Sequence, residues 1–205
     1  MNDDFFYLKR YAKENALVTK PVEGENRIVF LGDSITEFWI DELPSFFEGR
    51  SFINRGISGQ TTPQLLGRFE QDVISLNPTS LHLLAGTNDI AGNTGEMSLN
   101  ETVENIRLMI QIAKTNTIQV YLGAVLPASI FQWRPSVRPL FQIIELNRQL
   151  QLLAEMEGIP FIDYHSVMRN EIGAMNHELT YDGVHPNLLG YKRMEDVFEQ
   201  KLLFV

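Results

Sequence analysis

Five short apolar runs, each closed by turn-forming residues and separated from the next by a stretch without strand character, restrict this chain to one architecture. The runs are Ile28-Val29-Phe30-Leu31 before Gly32, Ser51-Phe52-Ile53 before Asn54-Arg55-Gly56, Leu81-His82-Leu83-Leu84-Ala85 before Gly86, Ile118-Gln119-Val120-Tyr121-Leu122 before Gly123, and Ile159-Pro160-Phe161-Ile162 before Asp163. Runs of this length read as buried strands. Pro160 marks the fifth as an edge strand or a strand start. Between the runs, apolar residues recur at helical spacing: Val103, Ile106, Ile110 and Ala113, then Ile143, Leu146, Leu150, Leu153 and Ala154, then Leu189, Met194, Val197, Phe198 and Leu202 with Asn187 as cap. A further helix is predicted over 63–76, with Thr62 as N-cap and Pro63 at its first position. Residues 5–16 are predicted to form an extra helix packed on the outside.

Strand and helix in alternation demand a parallel sheet covered on both faces. The predicted fold is a three-layer α/β/α domain around a flavodoxin-like, five-stranded parallel sheet. A length of 205 residues suits one such domain over 1–205, with 1–26 as an extra N-terminal helical segment.

Composition narrows the function classes. The chain has 17 Lys and Arg against 26 Asp and Glu, a formal charge of −9, and no basic block. Such a chain is a poor partner for a nucleic-acid backbone or an anionic membrane surface. No window is apolar for long enough to span a bilayer. With no cysteine, disulfides, thiolate catalysis and Cys-based metal centres are excluded. The first residues, Met1-Asn2-Asp3-Asp4, are acidic where a secretory signal would be basic and then apolar. A cytoplasmic location is therefore expected, although a chain trimmed of its signal would read the same.

In open parallel sheets, ligands sit beyond the carboxyl ends of the strands. The residues just after the apolar runs are therefore the place to look for chemistry. Gly32-Asp33-Ser34-Ile35-Thr36 puts a serine at the start of a helix, where anions are favoured; a plain helix cap is the competing reading. Asn54 to Thr62 holds Gly56 and Gly59, which permit tight turns and close backbone approach. Gly86-Thr87-Asn88-Asp89 offers an amide whose N–H groups could meet a developing oxyanion. Asp182-Gly183-Val184-His185 places a carboxylate and an imidazole three residues apart across one turn, so that one ring nitrogen can bind Asp182 while the other faces Ser34. Each of the last three segments could equally be an ordinary turn. All four on one edge of a sheet are harder to dismiss.

These blocks resemble the GDSL, or SGNH, hydrolase family, with Ile35 in place of the leucine of the family name. The resemblance spans residues 28–190. It implies that Ser34 is the nucleophile of a catalytic triad with His185 and Asp182. It also implies that the backbone of Ser34, the backbone of Gly59 and the side chain of Asn88 form the oxyanion hole. The stretches around Ser34, Gly59 and Leu126-Pro127-Ala128 look most like the acetylhydrolase and carbohydrate acetylesterase branches. The activity implied is hydrolysis of small acyl esters, acetyl groups on carbohydrate foremost, with no metal and no cofactor. A lysophospholipase or thioesterase of the same family, or a non-catalytic binding module on the same fold, are the alternatives. A flavodoxin-like nucleotide binder lacks a phosphate-binding glycine motif after the first strand.

Several other residues have expected places. Asp163 and His165, after the fifth run, form a rival Asp–His pair. His82 is expected in the core and His177 in a polar loop. Asp33 and Asp89 are expected to hydrogen-bond the loops at the site. Trp39 is core or pocket wall. The loops 91–100 and 126–139 are long enough to shape a pocket. Asp33, Trp133 and Arg134 are candidate substrate contacts, and the aromatic and Arg side chains of 126–139 would equally suit a helix contact or the interface of a homo-oligomer. The partner expected is a small-molecule ester.

Overall fold

The computed structural model describes residues 4–202. Residues 1–3 and 203–205, the ends of the single-domain span expected from the sequence, lie outside the described residues. In chain order the elements are α1 Ala12–Leu17, β1 Ile28–Gly32, α2 Ser34–Glu42, β2 Phe52–Gly56, α3 Thr62–Gly67, α4 Phe69–Asp72, β3 Ser80–Leu84, α5 Thr87–Ala91, α6 Leu99–Thr115, β4 Gln119–Gly123, α7 Leu140–Glu157, β5 Phe161–Ile162, α8 Tyr164–Met168 and α9 Leu188–Leu202. The strands form one five-stranded sheet in the order β2-β1-β3-β4-β5, with every pair parallel. This is the doubly wound order of flavodoxin-like sheets. No helix among the described residues is long and apolar enough to cross a membrane.

Alternation along the strands builds two cores. Val29, Leu31, Leu81, Leu83, Val120 and Leu122 pack on one face with Ile106, Met109 and Ile110 of α6 and Ile143, Leu146 and Leu150 of α7. Ile28, Phe30, Leu84 and Tyr121 face the other side, against Trp39, Phe46, Tyr164, Tyr191, Met194 and Phe198. Trp39 is thus a core residue and not a pocket wall. His82 sits in this second layer, fully buried, its ring 4.9 Å from that of Phe30 and its Nε2 2.9 Å from the Tyr164 hydroxyl. Burial pushes its pKa down to about 3, so it is neutral.

Three elements differ from the sequence expectation. β2 runs on through Asn54, Arg55 and Gly56, which pair with Phe30, Leu31 and Gly32. Their polar groups are satisfied locally: Asn54 Nδ2 donates to the Thr36 carbonyl at 2.6 Å, and Arg55 Nε to Asn15 Oδ1 at 2.8 Å. The helix expected over 63–76 is broken into α3, α4 and a terminal turn at Ile74–Leu76. The break falls where Arg68 turns fully inward. Its guanidinium donates to Gln60 Oε1 at 2.6 Å, to the Gly32 and Arg55 carbonyls at 3.2 and 2.8 Å, and pairs with Asp72 at 3.0 Å. It therefore pins the ends of the two strands beneath the site. The cap is Thr61 and not Thr62, because the Thr62 hydroxyl donates to Asp89 instead.

The N-terminal segment forms only the short α1, with turns before it. The carbonyls of Phe5, Phe6 and Leu8 accept side-chain amides of Gln64, Gln60 and Gln71 in place of helical N–H groups. The segment is thus tied over α3 and α4 by its backbone.

Candidate active site

Ser34 stands where β1 turns into α2. The sharp turn needs Gly32, where a Cβ would lie 2.1 Å from Thr36 Oγ1 and 2.6 Å from the Leu84 carbonyl oxygen. Asp33 is the N-cap: its Oδ1 accepts the Ile35 N–H at 3.0 Å. The capping task therefore falls to Asp33, and the Ser34 hydroxyl is left for another partner. That partner is His185, whose Nε2 lies 3.0 Å from Ser34 Oγ.

His185 reaches Ser34 from the loop before α9. Its Nδ1 is 2.7 Å from Asp182 Oδ2. Asp182 Oδ1 accepts the backbone N–H groups of Val184 and His185 at 2.9 and 2.8 Å. Burial opposes ionisation of Asp182, but these donors and the imidazole outweigh it and hold the carboxyl below its ordinary value. Thr180, which sequence reasoning missed, fixes the turn: its hydroxyl donates to the His185 carbonyl at 2.7 Å and accepts the Gly183 N–H at 3.0 Å. Asn187 caps α9 as expected, accepting from Leu189 and Gly190.

Ser34, Gly59, Asn88 and His185 line one cavity of about 290 Å³, together with Phe38, Ser58, Thr87, Asn93, Trp133 and Val184. Gly59 has a φ of +77°, a left-handed conformation that glycine adopts freely. Among the described residues, neither the Ser34 N–H nor the Gly59 N–H has a protein acceptor. Asn88 donates one side-chain N–H to Asp33 Oδ2 at 3.0 Å and accepts Asn93 Nδ2 at 2.8 Å. Its orientation is set by this pair, and its second N–H is left for the cavity. The arrangement can relay a proton from a serine to an imidazole and meet a nascent oxyanion with N–H donors.

The remaining candidates separate. Trp133 lines the cavity, its ring stacked on Phe131 and 6.2 Å from that of His185. Arg134 instead lines the larger neighbouring cavity, with its guanidinium on the Gly92 carbonyl. Asp33 lies beneath Asn88, 2 % exposed, and does not reach the cavity as a substrate contact would. Asp89 is likewise buried, accepting from Thr62 and Thr102 and so joining α3 to α6. The rival pair does not assemble. Asp163 caps α8 by accepting the Ser166 N–H, and among the described residues His165 Nε2 has no hydrogen-bond partner.

Burial raises the Asp33 carboxyl to about 6, against the lowering effect of the Ile35 N–H and the nearby His185. The folded chain thus binds this proton more tightly than the unfolded chain, whose value is near 3.8. Stability from this group is complete below pH 4, declines as pH rises through 6, and is flat above that. Relative to Asp33→Asn, which does not titrate, the wild type should lose about 2 kcal/mol between pH 4 and pH 7. Urea unfolding of both proteins at the two pH values measures it. A difference that stays constant would contradict the burial assigned to this carboxylate.

A model of the GDSL-like lipase/acylhydrolase family matches residues 30–193. Among solved structures, a GDSL-like lipase from Bacteroides thetaiotaomicron VPI-5482 is 44% identical, with a TM-score of 0.94 over 97% of this chain and 98% of that one. A chain from Bacteroides fragilis NCTC 9343 with a provisional acylhydrolase assignment is also 44% identical, with a TM-score of 0.96 over 98% of both chains. An acetylxylan esterase from Geobacillus stearothermophilus is 22% identical over 189 residues, covering 89% of this chain and 86% of its own. The chain belongs to the GDSL-like lipase/acylhydrolase family, a group of carboxylic ester hydrolases.

Proposed function

We propose that the chain is a serine esterase for short acyl esters, chiefly acetyl groups carried on carbohydrate, acting through an acyl-enzyme at Ser34. The observation that carries the proposal is the hydrogen-bonded series Ser34–His185–Asp182 opening into a cavity that Gly59 and Asn88 also line. In this mechanism Ser34 Oγ attacks the ester carbonyl while His185 Nε2 takes its proton. The tetrahedral oxyanion is met by the N–H groups of Ser34 and Gly59 and by the Asn88 amide. His185 returns the proton to the leaving alcohol, and the C–O bond to that alcohol breaks. Water, deprotonated by the same imidazole, then attacks the acyl-enzyme and releases the acid and Ser34. Asp182 holds the ring in the tautomer that leaves Nε2 free to accept.

Cavity size favours a short acyl group. About 290 Å³ is at the small end for a ligand pocket, with little room for a long chain. The leaving group has flat apolar faces beside His185: the rings of Phe38 and Trp133, 38% and 41% exposed. Such faces suit the C–H side of a sugar. The acetylxylan esterase named among the relatives points the same way.

The test is kcat/KM on p-nitrophenyl acetate, butyrate and octanoate, followed by acetylated xylo-oligosaccharides. The proposal expects a fall of roughly tenfold or more from acetate to octanoate. Preference for octanoate would favour a lipid-type hydrolase. Inertness on every ester, sugar acetates included, would favour a binding module.

A further inference from the structure

Asn93 was not singled out by any sequence pattern, yet it lies at the junction of the parts assigned to the oxyanion hole. α5 ends at Ala91, and Gly92, at a φ of +69°, turns the chain back so that the Asn93 N–H meets the Asn88 carbonyl at 3.1 Å. The Asn93 side chain is then fully engaged. Its Nδ2 donates to Asn88 Oδ1 at 2.8 Å and to the Gly59 carbonyl at 3.1 Å, and its Oδ1 accepts the Trp133 indole N–H at 3.2 Å. Both ends of the amide are used, so it cannot flip without losing all three bonds.

Each bond has a consequence. Holding Asn88 Oδ1 directs the Asn88 N–H groups the other way, one to Asp33 and one to the cavity. Holding the Gly59 carbonyl fixes the backbone of the loop that carries the second donor. The indole bond ties both to the 126–139 loop, whose next residue, Arg134, donates to Gly92. Two adjacent residues of one loop thus grip two adjacent residues of the other. Trp133 is the member of this set whose ring also lines the cavity.

We infer that Asn93 is a positioning residue, aligning the Asn88 and Gly59 donors and coupling them to Trp133 at the leaving-group side of the cavity. The inference rests on the oxyanion roles of the proposed function. It predicts that Asn93 acts on turnover and not on substrate affinity, because its partners are held for the transition state.

Steady-state kinetics on p-nitrophenyl acetate test it with Asn93→Ala, Asn88→Ala, the double variant and Trp133→Phe, each beside a thermal melt. Asn93→Ala should lower kcat about 10- to 100-fold, the scale of a small misplacement of catalytic groups, with KM within about threefold. In the Asn88→Ala background the same change should cost less than about threefold, since its main target is gone. Trp133→Phe keeps an aromatic ring but removes the indole N–H, and should lower kcat by about threefold or more. It also serves if Asn93→Ala does not fold. Independent losses that multiply in the double variant would overturn the inference. So would a rise in KM at constant kcat, or an Asn93→Ala protein as active as the wild type while Asn88→Ala is impaired. An Asn88→Ala protein with full activity would instead sink the oxyanion assignment underneath.

Discussion

Ser34→Ala should lower kcat on p-nitrophenyl acetate on the order of 10⁴- to 10⁶-fold while the protein melts near the wild-type temperature. The loss is large because no neighbouring group replaces the hydroxyl. Among the described residues, the hydroxyl that His185 Nε2 touches is that of Ser34 alone. The fold should be indifferent, because the cap of α2 is supplied by Asp33 and the deleted oxygen faces the cavity. Ordinary turnover by a folded Ser34→Ala protein would remove the nucleophile assignment.

Asp182→Asn should cost on the order of 10³- to 10⁴-fold in kcat, and the reason is geometric. The Oδ1 position accepts two backbone N–H groups, so the oxygen of the introduced amide would occupy it. The amide NH₂ would then face His185 Nδ1, which must accept, and the ring proton would move to Nε2. Nε2 could no longer take the Ser34 proton. Asp182 is about a third exposed, so some loss of imidazolium stabilisation would be made up by solvent. The tautomer change has no such remedy. Measuring kcat for both Asp182→Asn and Asp182→Ala separates these effects: the Ala variant, which forces no wrong tautomer, should retain more activity than the Asn variant. The reverse order would contradict the tautomer argument.

Much of this architecture was legible in the sequence for physical reasons. Strands buried on both faces must be apolar runs, so β1, β3 and β4 stood out, and helices that cover a sheet must carry an apolar face, so α6, α7 and α9 did too. Ser34, Asn88, Asp182 and His185 lie at strand ends or before a helix, in short segments whose residue types limit what they can do. The parts that escaped depend on side chains satisfying distant backbone. Asn54 and Arg55 read as a turn because polar residues rarely line a buried strand, and here Thr36 and Asn15 make that burial tolerable. Arg68 lay inside a helical pattern with nothing to mark it as buried, yet the carbonyls of Gly32 and Arg55 draw it inward and break the helix. Residues 5–16 read as one helix until the amides of Gln60, Gln64 and Gln71 claimed their carbonyls. Asn93 had no distinguishing period or spacing; only the meeting of three loops gives it work. Asp33 is a candidate both for binding the loops and for contacting substrate, and the fold buries it beneath Asn88, whose side-chain N–H it accepts.

The central claim is that Ser34 is the activated nucleophile. The most direct test is labelling with a fluorophosphonate, which releases fluoride as it forms a phosphonate ester with an activated serine. Trypsin places Ser34 in the peptide 28–50, which also holds Ser45, and fragmentation distinguishes the two. Stoichiometric labelling at Ser34, in step with loss of esterase activity and abolished in His185→Ala, is the result expected. Inactivation with the adduct on another residue, or full activity with Ser34 modified, would contradict it.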